Sequence, residues 1–122
     1  MAEIFRSDRV FTLWHYTAAH GNRLLLRAKA DGTSPRIDLH VDDVVGLLLE
    51  PVYHGLVIRD GTSAEAQRVR TEYGISVEGS VRLQVIGEDQ MRGFVVGSPL
   101  RWRADQGGTR DPSPFGPIPG TA

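Results

Sequence analysis

Apolar and polar residues alternate along much of the chain in short runs, broken by glycine, proline and aspartate, a pattern that predicts strands. Phe11 to Thr17 is aromatic and β-branched. If it is extended, Phe11, Leu13 and His15 share one side, while Thr12, Trp14 and Tyr16 share the other. Ala18 to Asn22 supplies turn chemistry, and Arg23 to Lys29 alternates again, with Leu24, Leu26 and Ala28 on one side. After the turn cluster Asp31 to Pro35, Arg36 to Val41 places Ile37, Leu39 and Val41 inward and Arg36, Asp38 and His40 outward. Three successive strands with short turns predict an antiparallel meander.

Side-chain chemistry sets the register of the second hairpin. Pairing Leu26 with Leu39 and Leu24 with Val41 also pairs Arg27 with Asp38 and brings Arg23 to Asp42, so apolar pairs fall on one face and opposite charges on the other. A one-residue slip would oppose leucines to charges. In the first hairpin, where both faces of the first strand are apolar, pairing Thr17 with Asn22 across the turn sets Leu13 against Leu26 and Trp14 against Leu25.

Before the meander, Met1 to Arg9 reads as an arm or lead-in. After it, Val44 to Glu50 and Val52 to Arg59 are apolar runs split by Pro51, and they fit strands buried on both faces. One helix is expected at about residues 62–73, TSAEAQRVRTEY. Thr62 and Glu65 form a capping box, Ala66, Val69 and Tyr73 make a narrow apolar stripe, and Gly74 suits the C-terminal left-handed position. Three further strands follow: Ser80 to Ile86, Met91 to Val96, and one that places Leu100, Trp102 and Ala104 inward with Arg101 and Arg103 outward. The expected fold is therefore mainly β (α+β by element count): an antiparallel sandwich or flattened barrel of about six to eight strands with one packed helix. Residues 1–105 are expected to form one β-rich domain. Residues 106–122, which hold four of the seven prolines, are expected to be a flexible tail.

Composition then removes function classes. With 14 basic and 15 acidic residues the net charge is −1, which disfavours nucleic-acid binding, where phosphate neutralisation supplies most of the affinity. No apolar run is long enough to span a bilayer or act as a signal peptide, so no membrane partner and a cytoplasmic location are expected. Cysteine is absent, which excludes thiolate chemistry and disulfides. The four histidines, at positions 15, 20, 40 and 54, lack metal-strand spacing, and on this register His15 and His40 point to opposite faces. No metal and no cofactor are expected.

The outward face of the meander gathers the candidate binding residues: Trp14, Tyr16, Arg23, Arg27, Asp38 and His40, with His20 at the rim. Aromatic rings beside guanidinium groups suit interface anchors and ligand platforms. The same residues also fit burial beneath the helix or a second sheet, with Trp14 and Leu25 as core and Arg27 and Asp38 as a cross-strand ion pair worth little. No nucleophile elbow, phosphate loop or dinucleotide fingerprint occurs, and no catalytic residue is assigned. The expectation is a non-enzymatic binding or protein-interaction module, immunity-like or accessory, with a protein partner or a second copy of itself. The alternative is a small-molecule enzyme or ligand-binding protein using His20, Arg27, Asp38 and His40 at the end of the sheet.

The run from Trp14 through Tyr16, His20 and Leu24-Leu25-Leu26 to Arg27, followed by Ile37-Asp38-Leu39, resembles the opening of a group of small bacterial proteins of unknown function. The resemblance covers about a third of the chain and implies a compact β-rich fold. It carries no activity with it.

Overall fold

A computed structural model describes residues 2–108, 111 and 113–115, with the side chains of Ala19 and His20 outside the described set. The elements are β1 (Glu3–Thr17), α1 (Ala19–Asn22), β2 (Arg23–Ala28), β3 (Arg36–Val41), β4 (Gly46–Leu48), β5 (Val52–Asp60), α2 (Ser63–Tyr73), β6 (Arg82–Ile86), β7 (Gly93–Gly97) and β8 (Arg101–Asp105). All eight strands form one antiparallel sheet in the order β4-β7-β6-β5-β1-β2-β3-β8, which does not close into a barrel. Among the described residues no helix is long and apolar enough to cross a membrane.

The sheet folds over on itself. Leu24, Leu26, Leu39 and Val41 from β2 and β3 share one buried cluster with Leu56, Ile58, Ile86 and Val95 from β5, β6 and β7. Strands so far apart in the sheet order can meet only if the sheet bends, and the result is a flattened sandwich. The bend is built into β1, whose pairing with β5 shifts register between Glu3 and Phe5 and again between Ser7 and Val10, and such bulges kink a strand. Rings close one open end, with Phe5 edge-on to Phe11 at 5.6 Å and to Trp102 at 5.3 Å. After β3 the chain crosses between the halves through residues 42–45, where Ser98 N–H donates to the Asp42 carbonyl and Val45 N–H to that of Val96.

The helix begins and ends where its caps dictate. Thr62 accepts from Glu65 N–H, the Glu65 carboxylate accepts from Thr62 N–H, and Gly74 closes the other end at φ 69°. Its buried Val69 lies over Leu83, Val85, Phe94 and Val96, so α2 packs on the outer face of β6 and β7.

Three expectations need correcting. Residues 3–9 are not a lead-in but the first half of a 15-residue strand, whose bulges erase the alternation that would have revealed it. The run from Val44 to Glu50 yields only the three-residue edge strand β4, with Val45 and Leu48 exposed. In the first hairpin Leu13 does pair with Leu26, but Trp14 is bulged out and His15, not Trp14, opposes Leu25.

Candidate functional site

That bulge decides which side chains meet. Residues opposed in an antiparallel ladder project to the same face. His15 therefore joins Leu25, and Tyr16, opposite Leu24, turns to the other side. The outer face of the β1-β2-β3-β8 half then reads as cross-strand rows. One runs His15, Leu25, His40, Arg101, and the next runs Thr12, Arg27, Asp38, Arg103. Arg36 and Asp105 form a further row at one end, and Arg23 with Asp42 flanks the other. The β2–β3 register agrees pair for pair with the one predicted from the leucines and charges.

Four ionisable groups of this face, Arg27, Arg36, Asp38 and His40, are buried. Arg27 and Asp38 have no exposed surface and form a two-point pair, Nε to Oδ1 at 2.8 Å and Nη2 to Oδ2 at 3.0 Å. The Trp14 ring lies 5.2 Å from the Arg27 guanidinium. The pair is thus no weak surface pair, since removing one partner would leave an uncompensated charge out of water. Arg36, also buried, donates to Asp105 at 2.8 and 2.7 Å, and its hydrogen bonds hold the Asp105 carboxyl below the usual carboxylate range. The same guanidinium donates through Nη1 to the carbonyls of Gly108 and Asp111, at 3.0 and 2.8 Å.

His40 forms the centre of the opposite end. Its Nδ1 lies 3.0 Å from Arg101 Nη2. A guanidinium only donates, so Nδ1 accepts and the ring is neutral with its proton on Nε2. Burial lowers the His40 pKa, and the nearby Arg101 and Arg23 lower it further against the pull of Asp42. Asp42 faces three partners: Arg101 at 3.0 Å, Arg23 at 3.2 Å and His40 Nε2 at 3.4 Å. The last two contacts lie off the hydrogen-bonding axis. Consequently Arg23 Nε, His40 Nε2 and Asp42 Oδ1 are buried without hydrogen-bond partners, as is His15 Nε2.

What lies over this end is the segment after β8. The Phe115 ring lies 5.2 Å from the His40 ring, tilted by 36°, and the Arg101 guanidinium sits 4.9 Å over its face. Ser113 is buried, and its Oγ accepts from Phe115 N–H. The helix covers none of it, since α2 packs on the other half.

Of the predicted site residues, the structure brings together Trp14, Arg23, Arg27, Asp38 and His40. Tyr16 is excluded by the bulge and instead lines an open groove of about 620 Å³ with Leu13, Val45 and Leu47 on the other side. His20 sits in α1, and its side chain lies outside the described residues. His15 and His40, expected on opposite faces, lie on the same one. Sequence reasoning missed Asp105 and Phe115. The outward parity of Arg36 was visible, but nothing in a Gly/Pro-rich stretch signals where its one phenylalanine lands.

Chemically, the face is poor in free bases and rich in directed donors. Asp38, Asp42 and Asp105 are each engaged by an arginine. No cluster of three or more metal-ligating side chains occurs among the described residues. The largest groove, of about 780 Å³, is elsewhere and is lined by Arg6, Asp8, His54 and Glu88 among others. Comparison with protein-family models, curated proteins and solved structures finds no match to the chain.

Proposed function

We propose that this chain is a non-enzymatic protein-interaction module, of an immunity-like or accessory kind, that engages its partner through the outer face of β1-β2-β3-β8. The observation that carries this reading is the row of buried ionisable side chains, Arg27, Asp38, Arg36 and His40, set beside Trp14 and Arg101. Buried ion pairs add little net stability compared with apolar residues of the same size, so stability alone does not account for such a row. Arginine forks beside aromatic rings are, in contrast, what interface anchors are made of.

The test is retrieval of partners from native lysate by tagged parent and variant chains whose folding is checked by circular dichroism. Arg101→Glu and His40→Ala are expected to lose species that the parent and Tyr16→Ala retain, because Tyr16 lies on the opposite side. Equal retrieval by all four proteins would overturn the reading.

A further inference from the structure

We infer that residues 113–115 act as a pseudo-ligand held in cis, and that the slot between His40 and Arg101 takes, in trans, an extended peptide carrying an aromatic side chain. This rests on the reading above that the face binds a protein partner. It adds the chemistry of what is bound and the contact that must be displaced first.

The slot already displays its selectivity. Phe115 is held by a tilted ring–ring contact with His40, at 5.2 Å and 36°, and by the Arg101 guanidinium over its face, two interactions that favour a flat π surface over an aliphatic side chain. The segment's root is fixed separately. Arg36 grips the Gly108 and Asp111 carbonyls, and a side chain at Gly107 would run into the Arg36 guanidinium. Exchange therefore concerns Ser113–Phe115, while the anchor at Arg36 stays in place.

The cis occupant is also an incomplete one. With Phe115 seated, Arg23 Nε and His40 Nε2 lie 3.2 and 3.4 Å from Asp42 Oδ1, and none of the three buried atoms makes a hydrogen bond. Buried polar groups left unmade are costly. A peptide whose main chain reached them, donating to Asp42 and accepting from Arg23 or His40, would gain hydrogen bonds that the internal segment does not make. That difference gives a trans ligand its advantage over a tethered competitor, which otherwise benefits from a high effective concentration.

Fluorescence anisotropy with a labelled synthetic peptide of residues 106–122 tests this on the full chain. The Phe115→Ala chain, whose slot is vacated, is expected to bind the peptide at least about tenfold more tightly than the parent, as removal of a tethered competitor requires. The same peptide with alanine in place of its phenylalanine is expected not to bind, and Arg101→Ala added to Phe115→Ala is expected to abolish binding. Equal binding by parent and Phe115→Ala, or binding that ignores the phenylalanine, would overturn the pseudo-ligand. If lysate retrieval still depends on His40 and Arg101 in that case, the face binds a partner by other chemistry and only this inference falls. If the peptide binds as expected but retrieval is the same for all variants, it is the partner reading that fails.

Discussion

On one side of the folded sheet α2 lays Val69 onto Leu83, Val85, Phe94 and Val96; on the other, Phe115 lies on His40 and Arg101, beside the row that holds the buried Arg27–Asp38 pair. Both outer faces are covered, by opposite means. The first cover stabilises in proportion to the apolar area it removes from water and is tolerant of detail. The second depends on direction, because every arginine must meet its carboxylate or carbonyl to offset desolvation. Even the ion pair on the helix side, Arg59 with Glu65 at 2.7 Å, sits at the end of α2 and doubles as part of its cap. One sandwich thus carries a face suited to holding a fold together and another suited to discriminating what lies on it.

The sharpest way to break this comparison is to remove half of the buried pair. Arg27→Ala is expected to cost about 3–5 kcal/mol in urea unfolding, as loss of one buried partner does, whereas Arg27→Met with Asp38→Leu should return to within about 1 kcal/mol of the parent or exceed it. A loss below about 1 kcal/mol for Arg27→Ala would mean that the two faces do not differ in kind.

A smaller effect separates the helix side by pH. Hydrogen bonds from Arg59, aided by Thr62, hold the Glu65 carboxyl down at about 2 against an ordinary 4.5. The unfolded chain then takes up the proton first, so this contribution is complete above pH 4.5 and drains away as the pH falls toward 2. Melting temperatures across that window should fall for the parent and fall less for Glu65→Gln, which should already start lower by the equivalent of about 1–3 kcal/mol. A parallel acid response in both proteins would show that Glu65 is not the group involved.

The smallest effect belongs to the charged face. Because His40 has its pKa lowered from 6.5, chiefly by burial, the unfolded chain binds more protons just below that value. Stability should therefore decline as the pH drops through 6.5 and level off below the folded-state value. His40→Gln should flatten this step in thermal melts. A step of undiminished size would place the titration on another residue.

How far the sequence foretold these faces depended on what a wrong choice would have cost. The β2–β3 register was legible because a slip sets Leu24 and Leu26 against charges, and the helix because Thr62, Glu65 and Gly74 each satisfy a specific backbone need. The bulge at Trp14 was not legible. Both sides of Phe11 to Thr17 carry large apolar groups, so shifting His15 and Tyr16 to opposite faces breaks no pattern. The cover over His40 was hidden for a different reason: glycine and proline reveal backbone freedom but not destination, and Phe115 has no periodic neighbours to assign it a face.

The long first strand has a consequence for how the molecule comes apart. Thr12 pairs at once with Val52 of β5 and Arg27 of β2, and residues 42–45 bridge back from β3 to β7. The polypeptide therefore passes between the two halves more than once. The half built from β4 to β7 is one stretch, residues 46–97, inserted between the two pieces of the other half, residues 3–41 and Arg101–Asp105, and neither half can melt while its neighbour keeps a complete set of strand partners. A single cooperative transition follows, seen alike by the Trp14 and Trp102 fluorophores and by far-ultraviolet dichroism.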